Sequence, residues 1–131
     1  MSKRWILTIA IMIASQYAQG GMERVIANRQ AGRTAVSLPA DLPRVDGYAA
    51  AKECSEIGSV ILLRPVGADR WDRLLVVDCA VRDDSDGTRT WMDRKGVIAE
   101  VDHETALRWG TVGKLIKVEV GLAVRGPRME R

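Results

Sequence analysis

Three short aliphatic runs limit what this chain can fold into: SVILLR (59–64), LLVVDCAV (74–81) and IKVEVGLAV (116–124). The first two are too continuously aliphatic to leave one face in water. In the third, Ile116, Val118, Val120 and Leu122 alternate with Lys117, Glu119 and Gly121, the period of a strand with one buried face. Gly58 and the Pro65–Asp69 segment mark turns between them. Short apolar strands punctuated this way indicate a closed β structure, because closure leaves no apolar edge unpaired. Val97–Gly121 reads as strand, acidic turn, short helix, glycine stop and closing strand. Asp102 is placed to N-cap that helix and Gly110 to end it. Ala106, Leu107 and Trp109 supply its apolar side, while Glu104 and Arg108 form an i,i+4 pair on the wet side.

At 131 residues, a single domain is the expectation. Residues 1–20 stand apart: Lys3 and Arg4 precede the apolar run Trp5–Ala14, and the small-residue site Ala18-Gln19-Gly20 follows. This is the layout of a cleaved export signal, and the run is well short of the roughly 20 residues that span a bilayer. The expected address is secreted or periplasmic. Without Lys3 and Arg4 the formal net charge falls from +3 to +1, so the basic balance means little by itself. Arginines gather at the two ends, Arg24–Arg44 and a basic tail at 125–131. They allow weak contact with anionic surfaces, but no aromatic residues interleave with them as nucleic-acid binding would require.

Residues 21–45 mix Gly, Arg, Gln, Ala and Pro without sustained periodicity and read as a flexible arm or linker, with Thr34–Leu38 a candidate short strand. The folded domain is expected over residues 46–124. RDDSDGTRT (82–90) is a polar hairpin loop. Aligning Gly87 with the glycine of a calcium loop puts Arg82 where the first Asp ligand should stand, so calcium is excluded there. Trp91, beside this loop, offers a face on which a sugar ring could stack, or a lid packed over the end of the β structure.

Two cysteines, Cys54 and Cys79, in an exported chain indicate one disulfide; the alternative is a pair of buried free thiols. With the single histidine, His103, they make at most three soft ligands at spacings that match no zinc pattern, so no metal and no cofactor is expected. No serine stands in a nucleophile elbow, and Cys79 sits in an apolar strand. Acid–base chemistry on this chain therefore falls to carboxylates.

EVDHETALRWG…GKLIKVEV resembles the "DLS…A…G…V.V" segment of double-psi β-barrel domains, and VVDCA (76–80) resembles their "V.D.C" or "V.D.G" strand. With AAAKECSEIGSVILL (49–63), the likeness covers roughly residues 47–122. These are the domains of rare lipoprotein A-type lytic transglycosylases, expansins, barwin-like proteins and related endoglucanases. The resemblance implies a mainly β fold, a six-stranded double-psi β-barrel with one or two short helices. It makes Asp102 the candidate acid, Asp78 a groove-shaping residue and Asp46 a poor match to the endoglucanase base. It also makes a Cys54–Cys79 pairing plausible. Trp91 and His103 are the candidate sugar contacts. The chain departs from the family pattern in carrying Ala50-Ala51-Lys52 where a His would fall, and Asp78-Cys79-Ala80 in place of "DRG".

Three functions follow. The domain binds cell-wall glycan, peptidoglycan or another polysaccharide, without turnover. Alternatively it cleaves that glycan as a lytic transglycosylase or glycoside hydrolase with an Asp acid. In the third, it is a structural or assembly protein of a cell surface or virus, using the barrel as scaffold. A monomer is expected.

Overall fold

The computed structural model describes residues 4–125. In chain order these form strand β1 (Arg4–Gln16), helix α1 (Gly21–Gln30), β2 (Gly47–Ala51), a 3-10 turn (Cys54–Glu56), β3 (Val60–Pro65), β4 (Asp72–Cys79), helix α2 (Thr88–Lys95), β5 (Val97–Val101), helix α3 (His103–Trp109) and β6 (Ile116–Arg125). The six strands close into a ring in the order β1-β5-β2-β4-β3-β6. The mainly β reading therefore holds at the level of a closed six-stranded sheet.

The ring has an internal two-fold relation. Advancing every strand number by three turns the parallel pair β1/β5 into the parallel pair β4/β2, and the antiparallel pair β1/β6 into β4/β3. The antiparallel pairs β2/β5 and β3/β6 map onto themselves. Both parallel pairs carry a register shift, at Ile13/Ala14 and at Ala49/Ala50.

A six-stranded ring has a narrow interior, which explains the small residues of the sequence. Ala14, Ala49, Ala99 and Ala106 fill it beside Leu63, Leu74, Val101 and Val118, all nearly or fully buried. Two smaller apolar clusters lie outside. Met22 of α1 and Leu38 pack over Leu75 and Val77 of β4, and Met92 of α2 packs with Ala80 and Val97.

Four segments take structure that their sequence reading did not assign. The first is the segment read as an export signal, whose residues 4–16 are strand β1, bonded to β6 along nearly its whole length and to β5 at its end. The β-branched residues Ile6, Thr8, Ile9, Ile11 and Ile13 suit a strand as well as they suit an apolar signal run, so composition alone does not separate the two. Residues 21–45 are no loose arm either. They hold α1, and the rest is tied down by Leu38 N–H to Arg29 O (3.1 Å) and by Gln30 to the carbonyls of Pro39 and Ala40. Thr34–Leu38 forms no strand.

Third, the segment after the acidic loop is helical, which brings the α-helices among the described residues to three. Asp86 accepts the Thr88 amide and Asp84 the amide and hydroxyl of Thr90, so the carboxylates that suggested a solvated hairpin cap α2. Fourth, α3 uses its side chains differently from the amphipathic reading: Leu107 is exposed, and Arg108 bonds Asp72 at 2.9 Å rather than pairing with Glu104. The basic tail lies, apart from the backbone of Arg125, outside the described residues. Among the described residues no helix is long and apolar enough to cross a membrane.

Candidate active-site cavity

Strand register builds the site. Ser15 of β1 pairs with Glu100 of β5, Glu100 with Ala50 of β2, and Ala50 with Asp78 of β4. Residues paired across neighbouring strands share a face of the sheet, so these four form one row on the outer side of the ring. The shift at Ala49/Ala50 is what brings Asp78 rather than Val77 abreast of Ala50. Two strand spacings, about 10 Å of backbone, separate the carboxyl-bearing residues. Ala50 between them, a single methyl, leaves the gap open.

Over this row lies a cavity of about 600 Å³, lined by Glu100 and Asp78, by Tyr17 and Arg29, and by Arg82, Asp86 and Met92 from the α2 side. Cys54 and Cys79, also in its wall, are joined by a disulfide with a Cα–Cα separation of 4.9 Å. The volume is in the range of small-molecule sites.

The two carboxyl groups stand in different surroundings. Asp78 is clamped: Tyr17 Oη donates to its Oδ2 at 2.6 Å, and Arg29 Nη2 donates to its Oδ1 at 2.7 Å. Arg29 also donates through Nη1 to Val36 O at 3.0 Å, tying the wall of the cavity to its floor. Burial and the bond to Asp78 push the Tyr17 hydroxyl well above the usual phenol range, so it remains a donor. Glu100 is half-buried and forms no ion pair with a cation among the described residues. Burial above all pushes its carboxyl up; the neighbouring Ser15 hydroxyl opposes this, and the charges of Asp78 and Asp86 add to it. Ser15 Oγ is near enough to polarise the carboxyl but has no hydrogen bond of normal geometry.

Of the residues singled out from sequence, only Asp78, Cys54 and Cys79 reach this cavity. Asp102 does not. It is 5% exposed, and its Oδ1 accepts the Tyr48 amide (2.9 Å) and the Thr105 hydroxyl (2.6 Å). It stands at the N-cap position, as the helix-start reading required, but its side chain bonds a hydroxyl and a β2 amide rather than the helix amides. Its assignment as groove acid is corrected accordingly. Asp46 is likewise a structural anchor near the start of β4, accepting Arg70 at 2.8 Å and the Arg73 amide at 2.7 Å.

Trp91 packs against the Ala80–Met92–Val97 cluster, and Met92, the next residue of α2, faces the cavity instead. His103 accepts at Nδ1 from Gln16 Nε2 (2.8 Å), and Gln16 Oε1 accepts the Gly113 amide, so this histidine braces α3 against β1. Neither is in the cavity wall. Among the described residues no cluster of His, Cys, Asp and Glu could hold a metal ion.

Sequence reading missed Glu100, Tyr17 and Arg29. Glu100 did leave a signal: it is the one ionisable residue in VIAEV, outward-facing between the buried Ala99 and Val101. Tyr17 lies in the segment read as a leader, and Arg29 in the arm read as allowing weak contact with anionic surfaces, whereas its guanidinium is buried against Asp78. Comparison of the chain with protein-family models, with curated proteins and with solved structures gives no match.

Proposed function

We propose that this chain is an extracytoplasmic double-psi β-barrel domain that binds cell-wall glycan in the cavity over Glu100 and cleaves it by general acid catalysis. The observation that carries the reading is Glu100 itself, a half-buried carboxyl pushed toward its protonated form at the floor of an open cavity. The two-fold relation between the strand triplets supports the double-psi assignment, since that fold is built from two like halves. Glu100-Val101-Asp102 also fits the Asp-Leu-Ser of the family segment better than an alignment on Asp102 does. In that register the first residue faces the groove and the third starts the helix. The disulfide fits an oxidising compartment.

The same geometry favours a lytic over a hydrolytic route. Hydrolysis calls for a second carboxyl fixed and free to act as base or nucleophile; both oxygens of Asp78 are engaged by Tyr17 and Arg29, and Asp86, on an exposed loop, holds the Thr88 amide. In the lytic step Glu100 gives its proton to the glycosidic oxygen and the C–O bond breaks. A hydroxyl of the same sugar then adds to the anomeric carbon and returns its proton to Glu100. No water is consumed, and the product carries an anhydro end.

The test is incubation with purified peptidoglycan and mass spectrometry of the soluble products. Wild-type protein is expected to release anhydro-ended fragments, and Glu100→Gln to release none while still sedimenting with the glycan. The acid works only while protonated, so release should persist at low pH and be lost as pH rises through the raised Glu100 value. Products with reducing ends would refute the lytic route, and release by Glu100→Gln would refute the acid. Sedimentation without any release would leave a binding module.

A further inference from the structure

We infer that Asp78, fixed by Tyr17 and Arg29, is a positioning residue that acts on the cavity through Glu100, as the second member of a two-carboxyl row built across β5, β2 and β4. The row is set by backbone register. Glu100 and Asp78 each pair with Ala50, so a single methyl is the side chain that stands between them in the row. Asp78 cannot swing away, because one oxygen is held by Tyr17, just after β1, and the other by an α1 side chain. A fixed negative charge at this separation in a half-buried site disfavours a second charge on Glu100.

The groups facing Glu100 come from every side of the site. They are Ser15 from β1, Tyr17 just after it, Asp78 from β4, Arg82 and Asp86 from the loop before α2, and Arg29 from α1. Of these, Asp78 combines a charge of the required sign with a fixed place in the same row. Asp86 lies on an exposed loop, where water and salt screen it. Arg29 works in the opposite sense: its guanidinium lies against Asp78 at 2.7 Å and cancels part of the charge that Glu100 feels. The clamp is thus two-sided, with Asp78 favouring the protonated acid and Arg29 limiting how far.

This role rests on the acid reading of Glu100, but its readout needs no substrate. Carbon-detected NMR of the Glu100 carboxyl, followed through a pH titration of the intact chain, reports the coupling directly. Asp78→Asn preserves shape and can still accept one hydrogen bond; Glu100 is expected to titrate at lower pH in it than in wild type. Arg29→Met leaves the Asp78 charge uncompensated, and Glu100 is expected to titrate at higher pH. Arg29→Lys keeps the charge and should restore the wild-type titration.

Opposite signs separate this role from mere loosening of the site, since extra water entering the cavity would move Glu100 downward in both variants. An unmoved Glu100 in Asp78→Asn, or shifts of the same sign in Asp78→Asn and Arg29→Met, would overturn the inference. If Arg29→Met does not fold, Arg29→Gln, which removes the charge but keeps a hydrogen-bond donor, replaces it and is expected to raise the Glu100 titration in the same way. Coupled titrations without glycan release would keep the row and discard the reaction.

Discussion

Asp102 and Glu100 show how two carboxylates two residues apart come to opposite uses. The strand period of two would put both on one face, but β5 ends at Val101 and the chain turns into α3 at residue 102. Glu100 stays on the outer face over the cavity, whereas Asp102 turns inward and takes the place of a ladder acceptor for the Tyr48 amide. The fit is close: a Cβ on Gly47 would lie 2.1 Å from Thr105 Oγ1 and 2.8 Å from Asp102 Oδ1, so this corner needs glycine. Asp102→Ala leaves the Tyr48 amide and the Thr105 hydroxyl without their acceptor and is expected to cost about 2 kcal/mol. Asp102→Asn keeps an acceptor oxygen in place and should cost well under half as much. Urea unfolding of the two variants measures the difference. Equal losses would mean that the charge, rather than the acceptor, holds the corner. Neither substitution is expected to alter glycan release, which is where the corrected assignment departs most sharply from the sequence reading.

At the scale of elements, the chain was legible wherever periodicity or capping residues spoke for themselves. The runs at 59–64, 74–81 and 116–124 are strands β3, β4 and β6 within a residue or two, and the glycine-terminated helix at 103–109 ends at Gly110 in the left-handed conformation. The failures lie where one composition serves two purposes. An apolar run after Lys3-Arg4 is a secretory pattern and also a good β-strand. Helix α2 was hidden by the polar run Asp83–Asp86, which looks like a loop although Asp84 and Asp86 hold the first amides of the helix. The partners of Asp78 were illegible for another reason: Tyr17 and Arg29 are 61 and 49 residues away, and no local pattern announces a contact of that range. The β1 assignment carries its own test. A chain beginning at Gly21 lacks the strand that stands between β5 and β6 and also lacks Tyr17. It is expected to lose the dispersed amide spectrum of the full chain and the pronounced cooperativity of its unfolding. A fully folded, cooperative fragment would instead favour the export-signal reading of residues 1–20.

On the scale of the whole molecule, the ring brings distant parts of the chain into one wall, and the disulfide fastens the part that matters most. Cys54 follows β2 and Cys79 ends β4, so the bond staples the parallel β2/β4 pair just beyond the register shift that aligns Asp78 with Ala50. That pairing is already supported by backbone bonds, including Ala80 N–H to Ala51 O at 3.0 Å, so the ring does not depend on the staple for its topology. What the bond adds is mainly a constraint on the unfolded chain. Closing a loop across a separation of 25 residues is worth about 3 kcal/mol on the chain-entropy model. For a domain of this size that is a fall in Tm of about 10 °C on reduction. Scanning calorimetry with and without reductant, and of a Cys54→Ser/Cys79→Ser variant, measures it. The reduced protein should keep a cooperative transition and the same β-rich circular dichroism below it. Glycan release should then decline only near the new Tm, because the cavity floor is held by the strands. A reduced protein that loses release at temperatures where it is still folded would show that the disulfide, and not the β2/β4 ladder, sets the position of Asp78.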